Sequence, residues 1–93
     1  MAISVTGNAE RDRYEASVDG VLAGFAAYRL DDSTIEFTHT EVEGAHEGHG
    51  VGSELVRQAL DDVRGQGLRV RPLCPFVRSV IERHPAYRDL VVD

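Results

Sequence analysis

Residues 47–53 read Glu-Gly-His-Gly-Val-Gly-Ser, and these three alternating glycines stand directly before a helical pattern of apolar residues. A glycine has no Cβ, so its backbone approaches a ligand closely and adopts positive φ without strain. The first N–H groups of a helix lack partners within the helix, and the helix dipole favours an anion there. The segment is suited to hold a phosphate or pyrophosphate through backbone donors. A plain turn into a helix is the alternative.

Two nucleotide-binding motifs are excluded for this segment. A P-loop requires a lysine for the phosphates, and all ten basic residues of the chain are arginine. A dinucleotide-binding fingerprint requires the spacing Gly-x-Gly-x-x-Gly and an acidic residue about 20 positions further along. Here the spacing is Gly-x-Gly-x-Gly, and Arg69 and Arg71 occupy the next strand.

Cys74, the single cysteine, precedes Pro75 at a predicted junction between a strand and a helix. The N-terminus of a helix lowers the pKa of a thiol, so Cys74 is a candidate nucleophile. The alternative is a small buried thiol that packs as an apolar side chain.

His39 is the only histidine on the predicted strand that leads into the glycine segment, and it is a candidate general base. Strict alternation predicts that Ile35, Phe37, His39 and Glu41 share one face of this strand. There Glu41 would orient His39 or replace it as the base. The alternative is a structural histidine that is hydrogen-bonded within the sheet. The spacing of His39, His46 and His49 is not an established pattern of metal ligands, so no metal site is predicted.

The pattern of apolar residues predicts five strands and two helices. Two neighbouring strands are indicated by the alternation in residues 12–18 and the apolar run 21–30, which an Asp19-Gly20 turn connects. The strand at 21–30 is expected to be covered on both faces. Apolar residues recur at helical spacing from Val51 until Gly65 and Gly67. The strands are predicted at 2–6, 12–18, 21–30, 34–42 and 68–73, and a second helix runs from Pro75 to near His84. The tail is expected to form an irregular cap or a short last strand. The order β-β-β-β-α-β-α predicts a compact α+β domain.

The bulk composition restricts the class of protein. The 93 residues suit a single domain, and no stretch approaches the ~18 apolar residues of a membrane span. The N-terminal residues show no secretory leader, and the lone cysteine favours a cytoplasmic location. The net charge of −6 without a basic patch argues against nucleic-acid binding. This acidity suits a cationic partner, or only solubility.

Taken together, the segments THTEVEGAHEGHGVGSELVRQALDDVRGQGLRV and RPLCPFVRSVIERHPAYRDLV resemble the GNAT superfamily of acetyl-CoA-dependent N-acetyltransferases. The first is similar to its motif of a strand, Gln/Arg-x-x-Gly-x-Gly/Ala and an amphipathic helix. The Leu-Cys-Pro-Phe and His-Pro-x-Tyr segments resemble the small single-domain GNAT-like family of about a hundred residues. The resemblance covers about residues 20–91 and implies a minimal GNAT-like fold over 1–93.

The resemblance implies that acetyl-CoA is the cofactor. The backbone of the glycine loop would bind its pyrophosphate, and Glu41 and Val42 would lie beside its pantetheine arm. Cys74, Pro75 and Phe76 would lie near the thioester, where Cys74 is a candidate to accept the acetyl group. Arg78 is a candidate partner of the phosphates, with a solvated arginine as its alternative. The implied cofactor-binding residues are Glu41, Val42, Gly48, His49, Gly50, Val51, Gly52, Ser53, Cys74, Pro75, Phe76 and Arg78.

Two residues depart from the family pattern. Glu47 stands where the motif has Gln or Arg, and a carboxylate beside a pyrophosphate is repulsive. Many family members carry a tyrosine on the helix after the last core strand, where this chain has Val80 and Ile81. A non-catalytic CoA-binding or acyl-CoA-binding module is therefore the alternative to an acetyltransferase, and a structural domain without ligand is a third hypothesis. The short chain predicts an open acceptor site, suited to a protein or peptide amine or a polyamine.

Overall fold

A computed structural model describes residues 2–92 of the chain. Its strands are β1 (Ile3–Asn8), β2 (Arg13–Val18), β3 (Val21–Asp31), β4 (Thr34–Val42) and β5 (Arg69–Pro72), and its helices are α1 (Val51–Gly65) and α2 (Pro75–Arg83). Short 3-10 turns cover Ala9–Arg11, Gly44–His46 and Pro85–Leu90. The predicted order of strands and helices is confirmed, with differences of one or two residues at most of the ends.

The five strands form one sheet in the order β1-β2-β3-β4-β5. Neighbouring strands are antiparallel except β4 and β5, which run parallel after the crossover through α1. Their parallel pairing covers only Thr34–Phe37 on β4 and Arg69–Pro72 on β5. Because β4 continues to Val42, its last five residues extend beyond the end of β5.

Both helices pack on one face of the sheet around a single apolar core. The stripe of α1 buries residues such as Leu55, Leu60 and Val63, as its spacing predicts. Two tyrosines hydrogen-bond to neighbouring residues of α1: the Tyr14 hydroxyl donates to Asp62 at 2.6 Å, and the Tyr87 hydroxyl donates to Asp61 at 2.9 Å. Burial, followed by these hydrogen bonds, raises the pKa of both tyrosines.

The prediction that β3 is covered on both faces is wrong. β3 is the central strand, but its apolar residues Val21, Leu22 and Leu30 are exposed. The sheet face opposite the helices, here called the open face, instead carries cross-strand ion pairs in which Glu36 binds Arg29 and Arg71 at 2.7 and 2.6 Å. An apolar run therefore identified a strand here without revealing how many of its faces are covered.

The prediction that His39 and Glu41 share a face of β4 with Ile35 and Phe37 is wrong, because β4 has a β-bulge at Thr38. Ala27 pairs with His39 and Tyr28 pairs with Phe37, so Thr38 is an extra residue in the ladder. The extra residue reverses the alternation of side chains. Ile35 and Phe37 lie in the core, whereas His39 and Glu41 lie on the open face rather than on the same face as Phe37.

The tail was predicted to form an irregular cap or a short last strand, and it shows features of both. Pro85–Leu90 forms a 3-10 helix that caps the core with Tyr87 and Leu90, and Val91 then makes a single parallel bridge to Val70. Among residues 2–92, no helix is both long enough and apolar enough to cross a membrane.

Candidate functional site

The glycine segment forms a loop with two left-handed residues. Gly48 has φ 81° and Gly50, the N-cap of α1, has φ 79°, a region that favours glycine. No side chain of residues 2–92 caps this end of α1, and the first bond within the helix joins the Glu54 N–H to the Gly50 carbonyl. The amides of Val51, Gly52 and Ser53 thus remain as donors for an anion.

Gly52 allows three elements to meet at this loop. A Cβ at Gly52 would lie 2.9 Å from Phe76 of α2 and 3.3 Å from the Val42 side chain of β4. Next to this contact lies a cavity of about 290 Å³, here called the loop cavity. Its walls are Thr40, Val42, Glu47, Gly48 and Phe76. The loop cavity therefore lies between the end of β4, the glycine loop and the start of α2.

The parallel strands separate at the same place. The Cys74 N–H donates to the Phe37 carbonyl at 2.9 Å, and β5 has by then given way to the N-terminus of α2. Cys74 is the N-cap of α2, and its side chain is buried. Its Sγ lies 3.6 Å from the Thr40 hydroxyl. Because Thr40 lines the loop cavity, the thiol lies one side chain behind the cavity wall.

His39 and Cys74 lie on opposite faces of the sheet. The His39 ring contacts Phe25 on the open face, with ring centroids 6.1 Å apart, and its Nε2 lies 3.6 Å from Glu41. Both side chains are about 60% exposed, 59% for His39 and 61% for Glu41. The structure brings His39 and Glu41 together, as the sequence predicted, but separates them from the thiol because of the bulge at Thr38.

Of the other predicted site residues, some lie at the glycine loop and others lie elsewhere. Glu47 is exposed and lines the loop cavity, whereas His49 is exposed and is not among the residues that line it. Val51 is 1% exposed, so only its backbone faces the loop. Pro75 occupies the first turn of α2 and is exposed. Arg78 donates to the Pro72 carbonyl at 3.0 Å and lines a different cavity with Ile81 and Arg88.

The open face holds a second cavity, of about 330 Å³, here called the open-face cavity. Its walls are Arg13, Leu22, Gly24, Phe25, Glu41, Val42 and Glu43. Val42 lines both cavities, so they adjoin across the end of β4. Sequence patterns missed Thr40 and Phe25 because a threonine and a phenylalanine on strands carry no signal of a site. Within residues 2–92, no three His, Cys, Asp or Glu side chains are grouped to hold a metal.

Comparison with known proteins gives a consistent result. Residues 13–90 match the family of GCN5-related N-acetyl-transferases. The solved structure of a GCN5-like protein from Staphylococcus aureus has a TM-score of 0.72 and 21% identity, over 96% of this chain and 87% of that chain. No curated protein sequence matches the chain significantly.

Two larger structures share the fold. A GNAT family acetyltransferase from Brucella melitensis, in complex with acetyl-CoA, has a TM-score of 0.59 and 25% identity over 71% of this chain and 49% of that one. The ribosomal-protein-S18-alanine N-acetyltransferase from Escherichia coli has a TM-score of 0.65 and 14% identity, over 76% of this chain and 49% of that chain. The chain thus spans about half the length of these two proteins.

Proposed function

The chain belongs to the GCN5-related N-acetyltransferases, and from this membership we propose that it transfers an acetyl group from acetyl-CoA to an amine acceptor. Acetyl-CoA supplies the acetyl thioester. The single cysteine, which has no partner for a disulfide within the chain, favours a cytoplasmic location for this activity.

The observation that carries the proposal is the uncapped glycine loop beside the loop cavity. Diphosphate groups need several convergent donors, and the free amides after Gly50 supply them without any basic side chain. The loop cavity then leads from Gly48 to Thr40, along the part of β4 that has no β5 beside it. The residues present therefore fit a phosphate at one end and a short arm that extends toward Cys74 at the other.

The reaction sets three tasks for the protein. The acceptor nitrogen must lose a proton and form a bond to the acetyl carbon, the carbon–sulfur bond must break, and the departing thiolate must receive a proton. We assign the first task to His39 with Glu41, which can reach an amine on the open face. The adjoining cavities at Val42 align the two reactants so that the carbon–sulfur bond can break, and the departing thiolate takes its proton from solvent.

We further propose a two-step route in which the Cys74 sulfur bonds to the acetyl carbon as the CoA thiol leaves. The amine then attacks this acetyl-cysteine, and the Cys74 thiol is restored. Supporting this route are its position at the N-terminus of α2 and the Thr40 hydroxyl, which hydrogen-bonds to the sulfur. Direct transfer to the amine is the competing route. In that route Cys74 takes no part in the chemistry and only packs against its neighbours.

A non-catalytic CoA-binding module is the second candidate function. Glu47 places a carboxylate on the wall of the loop cavity. Val80 and Ile81 are buried in the core, and the Tyr87 hydroxyl is bonded to Asp61 on α1. Among residues 2–92, no tyrosine lines the loop cavity to protonate a thiolate.

Calorimetry and a thiol-release assay distinguish these functions. We expect acetyl-CoA to bind and a panel of primary amines to release free CoA thiol. Binding without release for every amine would identify a binding module, and an absence of binding at millimolar acetyl-CoA would contradict both functions.

A further inference from the structure

The open-face cavity adjoins the loop cavity but has different chemistry. The amide donors of the glycine loop favour an anion. In contrast, the open-face cavity presents the carboxylates of Glu41 and Glu43. The Glu43 N–H donates to the Ala23 carbonyl at 2.8 Å, which fixes its backbone at the rim. An acceptor in the open-face cavity would lie on the other side of Val42 from the acetyl donor.

The carboxylates of this cavity differ from most others in the sheet. Glu15 and Glu36 bind arginines at 2.6–2.7 Å. Among residues 2–92, neither Glu41 nor Glu43 is paired with an arginine, and the one ion-pair partner of the Glu41 carboxylate is His39, at 3.6 Å. Arg13 also lines the cavity, but Glu15 compensates its charge at 2.7 Å. Two negative charges thus remain to attract a cation.

The rest of the cavity wall is apolar and aromatic. The Phe25 ring already holds the Arg13 guanidinium 4.6 Å from its centroid, which shows that a cation is compatible with this ring. Leu22 is 44% exposed at the same wall. Methylene groups between two charged ends would cover these apolar surfaces. A volume of about 330 Å³ suits a small flexible molecule rather than a folded protein segment.

We propose that the open-face cavity is the acceptor site and that it selects an aliphatic polyamine, a chain of methylenes that carries two or more ammonium groups. This assignment rests on the proposed acetyltransferase function. One ammonium group pairs with Glu43, and the reacting amine lies near Glu41 and His39. That amine, as an ammonium group, first gives up one proton to solvent, and the neutral amine loses a second proton to this pair as its nitrogen bonds to the acetyl carbon. The carbon–sulfur bond of the acetyl thioester breaks, and the departing thiolate takes a proton from solvent to give the thiol.

Calorimetric titration of the protein without acetyl-CoA tests the site independently of turnover. We expect spermidine to bind at least tenfold more tightly than n-butylamine, which carries one charge. Glu41→Gln and Glu43→Gln should each weaken spermidine binding about fivefold. Glu10→Gln removes the same charge from an exposed turn far along the chain and should change binding less than twofold. Added salt should weaken binding to the wild type.

Two results would overturn the assignment. One is equal affinity for spermidine and n-butylamine. The other is an equal effect of all three substitutions, which would show only a response to net charge.

Failure of this assignment is distinguishable from failure of the proposed function. If acetyl-CoA binds and a lysine-containing peptide releases CoA thiol faster than spermidine does, acetyl transfer stands and the polyamine assignment is wrong. If acetyl-CoA does not bind at millimolar concentration, the acetyltransferase function is itself wrong.

Discussion

The hydroxyl of Thr40 lies 3.6 Å from the Sγ of Cys74, although 34 positions separate the two residues in the chain. The contact joins the last part of β4 to Cys74, the N-cap residue of α2. Thr40 lines the loop cavity, so this pair connects the cavity wall to the only thiol of the protein.

The two-step route predicts an acetylated protein. After exposure to acetyl-CoA without an amine, the intact mass should rise by one acetyl group, and neutral hydroxylamine should remove it because a thioester is labile to that reagent. Cys74→Ala should abolish the adduct while acetyl-CoA binding stays within about threefold. An adduct that persists in Cys74→Ala or resists hydroxylamine would support direct transfer or acetylation elsewhere.

Gly50 and Gly67 form a matched pair for testing the loop. Both have positive φ, 79° and 73°, and at both positions a Cβ would meet open space. Alanine at either position should cost about 1–2 kcal/mol of stability, because left-handed geometry is strained for a residue with a Cβ. In thermal unfolding the two variants should behave alike. Only Gly50→Ala should weaken acetyl-CoA binding, by about tenfold. Equal affinity of the two variants would contradict the assignment of the loop.

Glu47 is expected to weaken the binding of acetyl-CoA. Glu47→Gln removes a negative charge from the wall of the loop cavity and should tighten binding about threefold to tenfold at low salt. The gain should shrink as ionic strength rises, because exposed charges are screened. Glu82→Gln, on the exposed face of α2, is the control for total charge. If the two variants bind acetyl-CoA equally, Glu47 has no local effect on the cofactor.

Glu36 links stability to acid pH. Hydrogen bonds from Arg29 and then Arg71 hold the pKa of Glu36 below its ordinary value of 4.5. Because the folded-state pKa is lowered, the stabilisation is complete above about pH 4.5 and is lost as pH falls through the folded pKa. Urea unfolding should show wild type more stable than Glu36→Gln at pH 7, with the difference shrinking below pH 4.5. A difference that stays constant down to pH 3 would contradict this linkage.

Most of the fold could be predicted from the sequence because the periods of its apolar residues are clear. The stripe from Val51 to Val63 and the turn at Asp19-Gly20 define their elements locally. The glycine loop could also be located, since positive φ at Gly48 and Gly50 requires the residue type that is visible in the sequence.

The sequence could not predict which candidate residues lie on which face of the sheet. A bulge adds one residue to a strand without changing its composition, so nothing at Thr38 revealed that His39 and Phe37 lie on opposite faces. The open-face cavity depends on the register between β3 and β4, which brings Phe25 beside Glu41. Such a juxtaposition arises only after the strands pair.

The bulge at Thr38 also bears on how much change the protein should tolerate at this position. Thr38 is exposed, and its hydroxyl makes only a long contact of 3.4 Å to the Ala27 carbonyl, so many residue types should be tolerated there. Deleting the residue should be tolerated as well, because Phe37 and His39 would then follow each other in a regular ladder opposite Tyr28 and Ala27. In that ladder His39 and Glu41 would keep the open face, and Thr40 and Val42 would keep the helix face. Thr38 is thus a local insertion that the sheet absorbs without moving the residues of either cavity.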